Sequence, residues 1–397
     1  MSSSTTTLTV VGGGLAGLVT AVTAAEAGAR VTLHEAHRSP GGRARTAESS
    51  PYKTNEGPHA LYSRGPLWTW LQQRDLIGPV ASVPLSAAAR MRFHRDGALR
   101  RTPPLAVIRL GRRDPQLAPV DRDFFSWAAS LVGERHARYA ANAAAVALFH
   151  HDPGTLSARF VQERLRRVLA MPPEAKYPVG GWSSVVERLA GRARSLGVRI
   201  ETASRVTPGG LADAAARGPV VVATSLAAAR ALLGDDSLAG ESGRTALLDL
   251  GLRTRRGDAF IVSDLDAPGW IERFTAQDPS LAPAGEQLVQ AQLPVEEGES
   301  RSVGIARAER LLDLGFPGWR DRVTHRSEAL AAGRTGALDL PGTTWRDRPA
   351  VDRGDGIYLA GDQVAAPGLL AEVSLNSALE AASLALRASR SLDLNRA

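Results

Sequence analysis

The 397-residue chain contains no cysteine. That absence excludes disulfides, thiolate catalysis, cysteine-bound zinc and a thioether-linked cofactor. It fits a reducing compartment, and a cytoplasmic location is expected. Lysine is nearly missing too: of 48 basic residues only Lys53 and Lys176 are lysine, and 46 are arginine. The formal charge is +7, but the arginines are interspersed with acids, as in RLGRRD and ERLRRV. Such segments read as solvated helix or loop faces. No basic stripe accompanies a recognition module, so nucleic acid is not an expected partner. Arginine gives at most a weak attraction to an anionic ligand or a membrane surface. No run of 18 apolar residues occurs, which excludes a membrane-spanning helix. The opening MSSSTTT lacks a basic segment, and glycines break the apolar run after it, unlike a secretory signal. No Ser/His/Asp order and no metal-ligand spacing appears. His150-His151 before Asp152 reads as a helix end or loop, and no metal is expected.

What is present is ordinary in bulk: 44% apolar and 22% charged residues. The length favours two domains over one core. The order within Thr7 to Glu35 is specific. TLTVV reads as a buried strand, LAGLVTAVTAAEAG as a helix stopped at Gly28, and RVTLHE as a second strand. That is a βαβ unit, which implies a parallel sheet. Between strand and helix lies Gly12-x-Gly14-x-x-Gly17. Gly12 permits the tight turn, Gly14 lets backbone approach a pyrophosphate, and Gly17 allows close helix packing. Leu15 and Ala16 open the helix, whose N-terminal N–H groups and partial positive charge suit phosphate. Glu35, followed by Ala36, ends the second strand 18 residues after Gly17. Its carboxylate suits ribose hydroxyls and repels a 2′-phosphate, which argues against an NADP-type ligand. NAD and FAD share this half-site. The loop SPGGRART, with Gly41, Gly42, Arg43 and Arg45, suits a ligand that runs on past the pyrophosphate, which NAD does not need.

Farther along, LWTWLQQRDL and the stretch from Phe124 to Phe149 read as helical, and ARMRFHRDGALRR as a hairpin turning at Asp96-Gly97. GWSSVVERLAGRARSLG, VRIETASRV and GPVVVATSLAAARALLG return to the helix–strand–helix pattern of the start. TALLDLGLRT, DAFIVSD and EQLVQAQLPV are β-rich, SVGIARAERLLDLGF is helical, and GIYLAGD is a strand before a long alanine-rich helix. A discontinuous nucleotide domain is expected from residues 1–65, 178–243 and 340–397, with residues 66–177 and 244–339 forming a second, substrate-binding domain.

The segments VVGGGLAGL, HEAHRSPGGRART and NEGPHALY, and later YPVGGWSSVVERL and GIYLAGDQVAAPGLLAEVSLNSALEAA, resemble the FAD-dependent amine oxidase and phytoene desaturase superfamily, which includes protoporphyrinogen oxidase-like proteins. The resemblance implies an α/β fold: a Rossmann-like FAD-binding domain of the glutathione-reductase type with an inserted α+β substrate domain. It implies non-covalent FAD, with Gly12, Gly14 and Gly17 at the ADP pyrophosphate and Glu35 at the adenosine ribose. Gly42 and Arg43 would lie toward the flavin side of the phosphates, Gly57 and His59 beside the isoalloxazine ring, and Val206 at adenine. Gly361 and Asp362 match the C-terminal flavin motif. Ser374 reads as the N-cap of the last helix. With Val373 it would sit at the flavin N1–C2=O edge, where the helix dipole favours the reduced, anionic ring.

The expected activity is dehydrogenation or desaturation of a small, largely apolar metabolite by hydride transfer to flavin N5, with oxygen or another acceptor taking the electrons onward. A flavin amine oxidase, a redox-neutral flavin mutase and a non-catalytic escort-type binding protein are the alternatives. Many amine oxidases of this superfamily hold a water near N5 with a lysine, and sandwich the amine between two C-terminal aromatics. Neither lysine here falls on that segment, and LLAEVSLNS holds no aromatic residue. His59 reads either as polarising or deprotonating a substrate, or as packing on the ring. Tyr62, Trp182 and Trp345 are candidate substrate contacts, with core packing the default for both tryptophans. FFSWAASLV reads as helix core, with an apolar channel or peripheral membrane contact as the alternatives.

Overall fold

A computed structural model describes residues 6–49, 51–57, 60–240, 242–333 and 335–394. Two sheets organise it. The first is a five-stranded parallel sheet in the spatial order Arg199–Glu201, Arg30–His34, Thr7–Val11, Val220–Val222 and Ile357–Leu359. Its strands come from three stretches separated by more than a hundred residues of other structure. The run Val220-Val221-Val222 is wholly buried, as parallel strands covered on both faces must be. The helix Leu15–Glu26 packs with the last helix, Ala371–Leu394, through small residues such as Ala21 and Ala378, both fully buried. Gly28, with φ +88°, ends the first helix as its sequence position implies.

The second sheet has seven strands: Val323–Ala332, Arg244–Arg253, Glu286–Pro294, Gly269–Arg273, Ile261–Asp264, Met91–Arg95 and Ala98–Arg100. All neighbours are antiparallel except Ile261–Asp264 beside Met91–Arg95. Residues from both expected insertions therefore share one sheet. The hairpin turns at Asp96 and Gly97, both with positive φ, as a two-residue turn between twisted strands requires. One sheet face is apolar. Leu248, Leu250, Val289, Ala291, Leu293 and Ile271 pack beneath the helix Arg301–Gly315. The alternate residues, Asp249, Gln290, Gln292, Trp270 and Glu272, point to the opposite face.

The helices Phe124–Val132, Glu134–Leu148 and Ala158–Val168 form a third cluster around Phe124, Trp127, Ala140 and Leu165. FFSWAASLV thus supplies helix core, since Phe124, Trp127 and Ala128 are buried. ERLRRV is not a solvated face. Arg164 is 5% exposed, and Arg167 is held in a buried ion pair. Among the described residues no helix is long and apolar enough to cross a membrane.

Candidate functional site

The glycine turn is built as tightly as its sequence implies. Gly12 has φ +105°, and a Cβ there would lie 2.5 Å from the Ala223 carbonyl oxygen at the end of the neighbouring strand. A Cβ on Gly17 would lie 1.9 Å from the Gly12 carbonyl oxygen. Gly14 differs: a Cβ there meets nothing within 4 Å. It is the N-cap of the first helix, no side chain caps that end, and no acid stands in its first turn. The helix start therefore presents uncapped N–H groups above a residue with no side chain. That cradle fits a phosphate.

Glu35 is buried beside it. One carboxylate oxygen accepts from Gly13 N–H at 2.7 Å and the other from His37 N–H at 2.8 Å. Each oxygen keeps acceptor capacity for a ribose hydroxyl. Ala36 is half-buried. The loop after the edge strand reaches the same place, with Ser204 N–H on the Glu35 carbonyl at 2.8 Å, and Val206 packs on the adjoining core. On the other side, Gly41 N–H donates to Gly13 O at 2.7 Å, and a Cβ on Gly42 would lie 3.3 Å from Gly14 Cα. Arg43 follows in a one-turn helix, Gly42–Ala44, and its guanidinium donates to Asp362 Oδ1 at 2.5 Å across 319 residues of sequence. Burial opposes the charge on Arg43, but Asp362 more than offsets it, so the guanidinium pKa is raised. Gly57 lies under Arg43, where a Cβ would come within 2.5 Å of its carbonyl oxygen. His59 lies outside the described residues.

Gly361 is clamped to the last helix. Its N–H donates to Ser377 Oγ at 2.9 Å, and that hydroxyl reaches the Val373 carbonyl at 2.8 Å. Ser377 is a site residue that the sequence reading missed. Ser374 is not the N-cap. The helix begins at Ala371, so Val373 and Ser374 are buried within its first turn. The end is set instead by Glu372, whose carboxylate accepts Leu369 N–H at 2.9 Å and pairs with Arg167 at 2.6 Å. A carboxylate at this end tempers the positive helix dipole expected from sequence.

The candidate substrate residues separate. Tyr62, on the strand Leu61–Tyr62, lies under the Arg167 guanidinium, 5.1 Å from its ring centroid. Trp182 is 1% exposed and packs in the core under the parallel sheet. Trp345 lies outside the hydrophobic core. It is half-buried, with the Arg346 guanidinium 4.3 Å from its ring centroid. Surface depressions at Glu26, Arg74 and Arg192, and along residues 273–287, lie apart from the glycine turn; the first is at the far end of the first helix. His94, Asp264 and Asp266 bring ligand-type atoms within 4.8 Å of one another. The carboxylates there already accept backbone N–H groups of Asp96, Gly97, Asp266 and Ala267 and the His94 ring, so they clasp strand ends.

Residues 10–74 match the model of an NAD(P)-binding Rossmann-like domain family. That covers the βαβ half-site, which nucleotide ligands of both kinds share. No curated protein matches the sequence. Solved structures similar to the chain include an oxidoreductase from Methanosarcina mazei, at TM-score 0.71 and 16% identity, covering 95% of this chain and 99% of that one. Cyclohexylamine oxidase from Brevibacterium oxydans is similar at TM-score 0.68 and 16% identity, covering 98% and 100%. RAB GDI from Plasmodium falciparum is similar at TM-score 0.56 and 10% identity, covering 96% and 98%. The chain shares the fold of these solved structures. That fold joins a parallel sheet drawn from three stretches of the chain with the seven-stranded sheet. It does not choose a reaction, because one fold hosts several.

Proposed function

We propose that the chain is an FAD-dependent oxidoreductase that removes a hydride from a substrate carbon. The carrying observation is the unbroken line of contacts from Glu35 through Gly13 and Gly14, across Gly41 and Arg43, to Asp362. A compact nucleotide needs only the first half of that line; an extended flavin dinucleotide uses all of it. Glu35 and the loop bearing Val206 would hold the adenosine end. The helix start at Gly14 to Gly17 would hold the pyrophosphate, Arg43 and Asp362 the chain beyond it, and the backbone near Val373 the ring edge. Bound there, FAD supplies a two-electron, hydride-accepting ring. The protein's part is to orient the substrate carbon and exclude water.

The substrate is proposed to be a small, largely apolar metabolite. The sheet face turned away from the helix Arg301–Gly315 carries buried Gln290, Gln292 and Glu272, and Tyr52 and Tyr177 close over its edge. These polar groups bond to the protein itself: Gln290 Nε2 donates to Asp249 Oδ1 at 2.7 Å, and Glu272 accepts from Gln277 and Trp270.

The purified chain is expected to be yellow, or to become so on addition of FAD, with one flavin per chain by absorbance. Colourless protein that cannot be loaded would favour an escort-type binding protein. Anaerobic bleaching by a candidate substrate supports net oxidation, whereas turnover without net oxidation supports a mutase.

A further inference from the structure

A dehydrogenation removes two hydrogens. If one leaves as hydride, the other leaves as a proton and requires a base. Among the described residues the strongest candidate is Glu272, on the central strand Gly269–Arg273 and 4% exposed. Its neighbour Ile271 faces the helix Arg301–Gly315, so Glu272 emerges on the opposite, polar face. Gln277 Nε2 donates to one carboxyl oxygen at 2.6 Å and Trp270 Nε1 to the other at 3.1 Å. The Tyr177 hydroxyl bonds to it as well. These donors are all neutral. Burial pushes the Glu272 carboxyl up to about 7, and the three hydrogen bonds only partly oppose that. The Gln277 carbonyl oxygen, on a residue 8% exposed, is buried without a partner.

The position is as telling as the chemistry. Tyr177 lies on the strand Ala175–Pro178, which pairs antiparallel with Leu61–Tyr62; Tyr62 stands opposite Ala175. Tyr62 and Tyr177 are thus diagonal neighbours on one face. Burial pushes the Tyr62 hydroxyl up to about 12, so it stays neutral. Beyond it, Arg167 stacks on its ring and pairs with Glu372 at the start of the last helix. A line of polar groups therefore runs from inside the seven-stranded sheet to the helix end where the cofactor is proposed.

We propose that Glu272 is the base of this dehydrogenation and that Tyr177 is its positioning residue. The inference rests on the proposed function. The substrate X–H bond breaks and an O–H bond forms on Glu272. The electron pair left behind closes the new double bond as hydride departs from the neighbouring carbon to the flavin. The titratable and charged groups facing Glu272 are Tyr177 and Tyr62 from the small sheet, with Arg167, Glu174 and Glu372 behind Tyr62. Asp249 shares the sheet face two strands away. Its carboxyl accepts from Gln290 Nε2 at 2.7 Å, and burial pushes it up to about 6.

The test uses the full chain loaded with FAD. Because the Trp270 indole N–H rests on the Glu272 carboxyl, its emission reports ionisation there. A step near pH 7 is expected, lost in Glu272→Gln and Trp270→Phe, kept in Asp249→Asn, and moved to higher pH in Tyr177→Phe, which loses a donor to the carboxylate. An anionic reduced flavin would raise the Glu272 carboxyl further, so between its two titration points the midpoint potential of the bound flavin, from dithionite titrations, should fall more steeply with pH in the native chain than in Glu272→Gln, approaching one extra proton per two electrons. No step in the native chain, or equal slopes in the two proteins, overturns the role of Glu272. A chain that takes up no FAD overturns the proposed function and this base with it, while the Trp270 titration still reads the carboxyl.

Discussion

Gly14→Ala is expected to give a folded protein that no longer holds flavin, and Gly17→Ala a protein that scarcely folds. Helix propensity alone predicts a gain at Gly17, because alanine exceeds glycine by about 1 kcal/mol inside a helix. Tertiary contacts reverse that sign. At Gly17 the new methyl would lie 1.9 Å from the Gly12 carbonyl oxygen. Gly12 cannot yield, because it is itself within reach of Ala223 and hydrogen-bonded to His34 O at 2.7 Å. Overpacking against fixed backbone costs about 3 kcal/mol or more, which outweighs the propensity gain. At Gly14 the backbone is extended, with φ −72° and ψ −175°, which alanine adopts freely, and the methyl meets no protein atom. Stability should change by about 1 kcal/mol or less, the ordinary effect of alanine at an N-cap. The methyl would stand where the pyrophosphate is proposed, and FAD affinity should fall at least about 100-fold, or about 3 kcal/mol. Thermal unfolding of the apoprotein and flavin fluorescence titration separate the two effects. A Gly14→Ala protein with unchanged affinity would remove the phosphate from this helix end.

Arg167→Ala should be the most damaging change outside the nucleotide half-site. Arg167 and Glu372 come from different helices, 205 residues apart, and their side chains are 15% and 9% exposed. Glu174 lies 3.7 Å from the same guanidinium. Removing the cation leaves Glu372 buried and uncompensated, which costs about 3–5 kcal/mol and lowers Tm by about 5 °C. An exposed pair of the same length would be worth under about 1 kcal/mol, so burial decides the size. Glu372→Gln alone should cost less. The double variant should be more stable than Arg167→Ala, because position 372 then carries no stranded charge. Additive losses in that cycle, read by thermal denaturation, would mean that the two side chains are not coupled.

The legible parts of the sequence share one property: their signal is local. The glycine turn, the first two strands, the Asp96-Gly97 hairpin and the β-rich runs of the second sheet each carry their pattern within about ten residues. The strand Val323–Ala332 has no such pattern. It is an edge strand with mostly exposed residues, and nothing in VTHRSEALAA alternates. ERLRRV misleads for the opposite reason. A run of charge reads as solvated, yet Arg164 is buried and Arg167 mostly covered by other segments. The helix start at Ala371 rather than Ser374 was equally hidden, since Glu372 satisfies Leu369 N–H only when the chain bends there.

By itself the amino-acid order determined that a βαβ unit with an acidic second strand would form, and that its glycines would leave a place for phosphate, because backbone sterics and hydrogen bonding act over neighbouring residues. Only the tertiary structure decided that Arg43 meets Asp362, that Arg167 meets Glu372 and that Glu272 sits beside Tyr177. Those meetings depend on which sheet each segment joins, and burial then turns unremarkable polar residues into strongly interacting ones.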